Sequence, residues 1–191
     1  MTGLPAHAAW QHRDARDGYE VVFLEVTPAG YRFEGHTSAV EDGEPFAVRY
    51  AVVLDRRWRT RSACVCGRSS AGVHEATLET GGTGRWLVNG ELAPELDGCL
   101  DVDLESSSFT NAFPVNRLGL AVGAQAAAPA AYVRALDLAV ERLEQRYARL
   151  PDDGGCSRYD YESPGFGFRC ELVYDAAGLV LDYPGIAVRS A

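Results

Sequence analysis

Short apolar segments separated by turn residues recur along this chain from residue 19 onward. Residues 20–27 and 31–37 flank Pro28-Ala29-Gly30, a turn in which glycine supplies the positive φ that the backbone needs. Asn89-Gly90 is among the strongest short hairpin signals, because both residue types tolerate positive φ. These features predict a mainly antiparallel β fold. The other segments with strand character are residues 46–54, 58–66, 73–80, 85–88, 100–105, 167–174 and 179–183.

One segment near the C-terminal third has a different period. Its apolar residues recur at alternating spacings of three and four, which is typical of an amphipathic helix, although residues 132–138 also alternate like a strand. We therefore expect a strand that passes into a helix of about three turns near Ala139, packed on the sheet and ended by Pro151. The apolar residues are Val133, Leu136, Val140, Leu143, Tyr147 and Leu150.

The length and composition fit one domain. A chain of 191 residues, 47% of them apolar, can bury one core without a metal or disulfides. No shift in composition marks a linker. We expect a single domain over residues 1–191, with residues 1–17 as a loosely ordered N-terminal arm.

The charge balance limits the classes of partner. The net charge is −9, and all 18 basic residues are arginine. An acidic surface repels phosphate backbones, so we expect no nucleic-acid partner and no anionic membrane partner unless a local basic patch overrides the total. The one arginine cluster lies beside Asp55 and is too small for a nucleic-acid face. It consists of Arg56, Arg57, Arg59 and Arg61.

The cysteines and the hydropathy profile indicate a compartment. The five cysteines form no CxxC pair, so we expect reduced, apolar side chains rather than a metal site. The N-terminus lacks the pattern of a signal peptide. No stretch approaches the roughly 20 apolar residues that span a bilayer. The sequence therefore predicts a cytoplasmic protein without a transmembrane segment, and it leaves the oligomeric state open.

An acidic stripe is the most unusual local feature. In residues 97–105, Asp101, Asp103 and Glu105 alternate with apolar residues, so on a strand the three acids share one face. Successive acids would lie roughly 6.6–6.8 Å apart along the strand. A solvated outer face, a structural or ligand-orienting wall, a divalent-cation site and an acid/base pair are the alternatives.

Arginines could neutralise that stripe. If residues 58–66 form a strand, Arg59 and Arg61 share a face opposite to Trp58. Pairing across strands with Asp101 and Asp103 would hold all four side chains in place. The result would be either a structural ion-pair ladder or a polar floor that recognises a head group.

Residues 109–118 contain threonine, two asparagines and a proline, which favours an irregular loop that returns to a strand. Asn111 would either fix a turn through its own backbone or contact a ligand. The four histidines are scattered, and the sequence contains no nucleophile elbow, phosphate-binding loop or dinucleotide fingerprint. We therefore expect no cofactor, no metal and no assigned catalytic residue.

Six segments distributed over about three quarters of the chain are distinctive when taken together. They are VRYAVVLDRRWRTR at 48–61, GRWLVNG at 84–90, LDGCLDVDL at 96–104, FTNAFPVNRL at 109–118, EQRY at 144–147 and GLVLDYPG at 178–185. In this order they resemble a family of bacterial proteins described as "putative glycolipid-binding". The resemblance implies a curved, mostly antiparallel β sheet or half-barrel that cradles lipid tails.

The leading hypothesis is a protein that binds an amphipathic ligand, a glycolipid or an acyl chain, without catalysis. The first alternative is a hydrolase that acts on a sugar or ester through Asp101 or Asp103. The second is a structural or complex-forming protein with no ligand. The candidate ligand-binding residues are Trp58, Arg59, Arg61, Asp101, Asp103, Thr110, Asn111, Arg117 and Tyr147.

Overall fold

The computed structural model describes residues 3–81 and 84–190. The described chain is mainly antiparallel β with one short α-helix, α1, at Ala112–Leu118. Three short 3-10 helices lie at Pro94–Leu96, Phe109–Asn111 and Pro164–Phe166. The strands are β1 His7–His12, β2 Asp17–Val26, β3 Gly30–Glu41, β4 Glu44–Asp55, β5 Thr60–Ser69, β6 Gly72–Thr80, β7 Trp86–Val88, β8 Glu91–Leu92, β9 Asp101–Leu104, β10 Gln125–Ala127, β11 Ala130–Val133, β12 Val140–Leu143, β13 Arg146–Asp153, β14 Cys156–Ser163, β15 Phe168–Tyr174, β16 Val180–Tyr183 and β17 Ala187–Arg189.

Two sheets form the fold. The large sheet has 14 strands in the order β10-β13-β14-β15-β16-β17-β1-β2-β3-β4-β5-β6-β7-β8 and does not close on itself. The small sheet has the order β12-β11-β9, with β9 and β11 parallel. The expectation of a curved, mainly antiparallel sheet with one short helix is confirmed.

The hairpins follow from local turn chemistry. Strands β2 and β3 pair from Asp17↔Val40 to Val26↔Tyr31, across the turn that ends at Gly30. Strands β7 and β8 pair across Asn89 and Gly90, which have φ of 50° and 83°. Positive φ at both central residues is the geometry that matches the twist of a two-residue hairpin. Both turns lie where the sequence predicts them.

The core lies between the two sheets. Along β4 every second side chain is buried, and Tyr50 packs so closely on β3 that a Cβ at Gly35 would lie 2.0 Å from its ring. Helix α1 places Phe113 against Phe33 at a centroid distance of 5.7 Å. A second buried cluster is rich in tyrosine. Its aromatic members are Tyr147, Tyr159, Tyr161, Tyr174 and Tyr183.

The predicted helix over residues 139–150 is wrong. The segment forms β12 and β13 instead, and α1 lies earlier in the chain. From Leu143 to Arg149 every second residue is buried, including Gln145. Gln145 and Arg149 are polar, so a hydropathy pattern does not count them as part of the buried face. The apolar residues that remain in the segment are spaced three and four apart, as in a helix. The buried face has a period of two.

Two further boundaries differ from expectation. The expected loosely ordered arm over residues 1–17 contains a regular strand. Its residues 7–12 form β1, which pairs with both β2 and β17. Strand β5 begins at Thr60 rather than at Trp58, which lies in the preceding turn with φ of 61°. Among residues 3–81 and 84–190, no helix is long and apolar enough to cross a membrane.

Candidate functional site

The acids of β9 do not face solvent. All four residues of β9 are buried, and Asp101 and Asp103 expose 1% and 7% of their surface. Strand β9 is covered on both faces, because its apolar residues belong to the main core and its acids pack against Arg117 of α1 and Gln145. One edge of the strand pairs with β11. A solvated acidic face is therefore wrong as an interpretation of this stripe. Each buried carboxylate needs its own partners.

The expected pairing of Arg59 and Arg61 with the β9 acids is also wrong. Both arginines pair with Asp55, through Nη2–Oδ2 distances of 2.8 and 3.1 Å. The Asp55 carboxylate also accepts hydrogen bonds from the backbone N–H groups of Arg57 and Arg59. Partial burial raises the pKa of Asp55, but these hydrogen bonds outweigh it and hold the pKa below its ordinary value. Asp55 thus organises the β4–β5 turn.

Asp101 has a different partner, Arg117 of α1. The guanidinium donates from Nε to Oδ1 at 2.9 Å and from Nη2 to Oδ2 at 2.6 Å, a bidentate pair. Burial raises the pKa of Asp101, and the nearby guanidinium opposes that rise. The pair attaches α1 to the small sheet. It is formed by two of the residues that the sequence singled out.

Residues 109–118 form a 3-10 turn followed by α1, not a loop that returns to a strand. Residues 109–115 of this segment are buried, and their aromatic side chains pack into the core. This packing supplies the stability that a seven-residue helix lacks alone. The turn carries Thr110 and Asn111 to the end of β9.

Asp103 lies at the centre of a buried polar network. Its carboxylate accepts hydrogen bonds from Thr110 Oγ1 at 2.7 Å and from Gln145 Nε2 at 2.5 Å. Tyr147 donates to Oδ1 of neighbouring Asn111 at 2.7 Å. Burial raises the pKa of Asp103, against the lowering effect of the Thr110 and Gln145 hydrogen bonds. Among the described residues, no cation is hydrogen-bonded to this carboxylate.

A cavity of about 260 Å³ opens beside this network. Its polar lining, the polar wall, includes Asp103 and Asn111. Its aromatic lining, the aromatic wall, includes Tyr161, Phe168 and Tyr183, which lie at mutual centroid distances of 6.0 to 6.2 Å. The remaining lining residues are Arg16, Glu41, Leu104, Glu105, Ser107, Tyr132, Leu143, Ser163, Phe166 and Ile186.

One buried polar atom of a lining residue, Arg16 Nε, has no hydrogen-bond partner in the part of the chain that the structure describes. The Arg16 guanidinium is otherwise fixed, since Nη1 donates to the Glu105 carbonyl at 2.8 Å and Nη2 lies 3.1 Å from Glu41. Buried polar groups usually have a partner, so unpaired ones at a cavity are groups that a bound molecule can satisfy.

The structure thus separates the sequence-predicted residues into three places. Asp103 and Asn111 line the cavity, and Thr110 and Tyr147 support them. Trp58, Arg59 and Arg117 line a separate groove, while Arg61 lines a third depression on the outer surface. Asp101 is buried behind Arg117.

Most residues of the cavity lining are absent from the sequence-predicted site. Arg16 and Ser163 belong to no motif, and Tyr183 lies in the GLVLDYPG segment, where the sequence assigns it no role in binding. The signal that could have found some of the lining residues is the excess of aromatic residues between Tyr159 and Tyr183.

Fold and site define a class of protein: an open antiparallel β half-barrel with a cavity lined by both aromatic and polar side chains. Residues 7–189 match the family described as "Putative glycolipid-binding", and the chain belongs to that family. The resemblance noted in the sequence is therefore confirmed.

Two solved structures are similar to this chain. A DUF1089 family protein from Pseudomonas aeruginosa has 34% sequence identity and a TM-score of 0.78, over 100% of this chain and 97% of that chain. A beta-barrel-like protein of the DUF1849 domain from Brucella abortus has 10% identity and a TM-score of 0.51, over 96% of this chain and 92% of that chain. The second likeness concerns the fold alone. No curated protein matches the chain.

Proposed function

We propose that this protein binds an amphipathic ligand, a glycolipid or a related acyl-chain compound, in the cavity beside Asp103, and that it does so without catalysis. The observation that carries the proposal is the composition of the cavity, whose lining combines aromatic rings with carboxylate and amide groups and includes a buried donor, Arg16 Nε, without a hydrogen-bond partner among the described residues. Small-molecule sites commonly combine apolar walls with a few polar anchors in this way. The family name points to the same ligand class.

The dimensions of the cavity indicate which part of the ligand enters it. Its volume of about 260 Å³ lies just below the range of about 300–1,000 Å³ for small-molecule sites. A whole glycolipid is larger than that range, so the cavity takes one end of the ligand. We assign it the sugar end, because the lining offers carboxylate, amide and hydroxyl groups together with aromatic rings.

The polar wall favours an uncharged head group. Asp103, Glu105 and Glu41 face one arginine, Arg16, around the same space. A negatively charged head group would be repelled by that excess of carboxylates. Apolar surface that is removed from water when the ligand binds contributes about 25 cal/mol per Å² to the binding free energy. The aromatic wall therefore supplies affinity, and the polar wall supplies selectivity.

Phe166 provides the test of ligand binding. It is 51% exposed at the rim of the cavity and packs on Tyr132 at 5.5 Å. We expect Phe166→Ala to weaken retention of extracted glycolipid at least fivefold with little loss of stability, because surface aromatics contribute contact area rather than core packing. Native mass spectrometry of protein incubated with bacterial lipid extract measures the bound fraction.

The matched control is Phe23→Ala. Phe23 is 58% exposed on β2 and does not line the cavity, so its removal should leave the bound fraction unchanged. Equal losses in both variants, or no lipid bound by the delipidated wild type, would count against this site. A cavity with an unpaired buried donor also favours ligand binding over the hypothesis of a purely structural protein.

A second candidate function is hydrolysis of a sugar or ester, and one observation favours it. Asp103 is buried, its pKa is raised by that burial, and it lines an open cavity, which is the environment of a general acid. Asp101 does not line the cavity and is paired with Arg117, so only Asp103 is a candidate.

The variant Asp103→Asn separates the two functions. If the protein is a hydrolase, turnover of nitrophenyl glycosides or esters should fall by at least 100-fold, because the proton donor is lost. In the wild type, the rate of turnover should fall with rising pH as Asp103 loses its proton. The pH–rate profile of Asp103→Asn should lack that fall. Wild-type turnover at background level, or equal turnover in both proteins, removes this candidate.

A further inference from the structure

A groove of about 330 Å³ lies outside the cavity and has the opposite charge character. Four arginines line it, together with Trp58, Leu100 and Asn116. The groove carries this cluster of positive charge although the chain as a whole has a net charge of −9. The arginines are Arg56, Arg57, Arg59 and Arg117.

The turn between β4 and β5 is built so that its arginines converge there. Asp55 accepts hydrogen bonds from the N–H groups of Arg57 and Arg59, while its carbonyl accepts one from Trp58 at 2.9 Å. Trp58 is 9% exposed and packs on Tyr31 at 4.5 Å. The aromatic contact and the Asp55 hydrogen bonds hold the turn, so the guanidinium groups extend from a fixed base.

Three of the four guanidinium groups are already held in place. Arg59 is held by Asp55, and Arg117 is held by the buried Asp101. Arg56 donates from Nε to the Pro28 carbonyl at 3.0 Å and from Nη2 to the same oxygen at 2.6 Å. Each guanidinium carries five N–H donors, so every one of these groups keeps donors for another acceptor.

The positive charge of the groove is not cancelled. Of the four arginines, Arg59 and Arg117 are paired with carboxylates. Arg56 donates instead to a carbonyl oxygen, which carries no full negative charge. Within the described residues, the exposed Arg57 makes no ion pair or side-chain hydrogen bond. Two guanidinium charges are therefore left without a countercharge beside groups that are already ordered.

We propose that this groove is a second binding site, one that takes a phosphate-type oxyanion. Arginine matches the planar geometry of phosphate oxygens and is weakly hydrated, which makes it the preferred residue for this group. Pre-ordered donors reduce the entropy that binding must offset. The site is distinct from the acidic cavity, and it does not depend on the ligand that the cavity takes.

The oxyanion has two sources, a phosphorylated solute or the head group of an anionic lipid, and the experiment has one arm for each. In the first, inorganic phosphate is titrated into labelled protein and followed by the backbone amides of residues 56–59 and the Trp58 indole in nuclear magnetic resonance spectra. In the second, the protein is sedimented with phosphatidylglycerol–phosphatidylcholine vesicles or with pure phosphatidylcholine vesicles.

The variant Arg56→Ala/Arg57→Ala removes the two uncompensated charges and leaves both buried ion pairs intact. We expect it to weaken phosphate binding at least tenfold. Arg68→Ala is the control, since it removes an exposed arginine near the other end of β5, eight residues or about 26 Å beyond Thr60. The control should change the affinity less than twofold. Arg57→Glu provides a second variant if the double variant is unstable.

Each outcome decides the question. Phosphate binding that shifts the groove resonances and is lost in the double variant supports a solute phosphate. Selective sedimentation with anionic vesicles, lost in the same variant, supports a lipid head group. The proposal is overturned if neither phosphate nor anionic vesicles bind. It is also overturned if Arg68→Ala weakens binding as much as the double variant does. Phe166→Ala should leave phosphate binding unchanged, so failure at the cavity is distinguishable from failure at the groove.

Discussion

Replacing Arg117 with alanine is expected to lower the free energy of unfolding by about 3–5 kcal/mol, because removing one partner of a buried ion pair leaves the other charge uncompensated. Asp101 is 1% exposed and the Arg117 side chain 13% exposed, so the substitution removes the paired charge from a buried carboxylate. Urea denaturation at pH 7, followed by circular dichroism, measures the change.

The loss should depend on pH in a defined direction. Burial already raises the pKa of Asp101, and without Arg117 nothing opposes that rise. The variant can therefore protonate Asp101 in mildly acidic solution, where its deficit should shrink. A double variant, Asp101→Leu/Arg117→Met, should recover most of the stability, since apolar replacement of a buried pair is often neutral. A deficit below 1 kcal/mol at pH 7 would contradict this account.

Replacing Glu20 with alanine is expected to cost about 3 kcal/mol or more, because it leaves several buried donors without an acceptor, each at about 1–3 kcal/mol. The fully buried Glu20 carboxylate accepts hydrogen bonds from the Tyr50 hydroxyl at 2.5 Å, from the Ser107 hydroxyl and from the Ser108 N–H at 2.8 Å. Thermal and urea unfolding both report the loss.

The control for Glu20 lies on the same strand. Glu25 is exposed on β2, and Glu25→Ala should change stability by no more than about 0.5 kcal/mol. Hydrogen exchange gives a local readout, because the amides of Ser108 and Phe109 donate to Glu20 and should lose protection first in Glu20→Ala. Uniform loss of protection across the sheet would show that Glu20 does not specifically hold this turn.

The strands and hairpins could be predicted because their signals are local. A glycine or Asn-Gly at a turn acts through its own φ, whatever the rest of the chain does. Both Gly30 and Asn89 lie in turns for that reason. The order of 14 strands has no such local signal, since β1 and β17 are neighbours although they lie at opposite ends of the chain.

The failed helix has a physical cause that no hydropathy pattern contains. Gln145 and Arg149 are buried in the β face that Tyr147 shares. Gln145 is accommodated because Asp103 and Tyr161, which are distant in sequence, provide partners. Arg149 is accommodated because Asp152 and Ser157 accept its hydrogen bonds and its guanidinium lies 5.1 Å from the Tyr159 ring. A polar residue that is satisfied by tertiary contacts cannot be distinguished locally from a solvent-exposed one.

The candidate site was predictable to the same limited degree. Alternation correctly placed Asp101 and Asp103 on one strand, but their partners come from α1 and from the 3-10 turn, where a loop was expected. Arg59 and Arg61 pair instead with the carboxylate of Asp55, which is near them in sequence. Which charged side chains form pairs depends on the distances between them in the folded chain. A single sequence does not specify those distances.

The large sheet ends in two short strands. Strand β8 has two residues and β10 has three, whereas the interior strands β3 and β4 have 12 each. An open sheet exposes unpaired backbone groups at both edges, and long flat edges recruit further chains into aggregates. A second chain that added a strand beside β8 or β10 could pair with only two or three residues of that terminal strand. Short terminal strands therefore limit edge-to-edge association at both ends of the half-barrel.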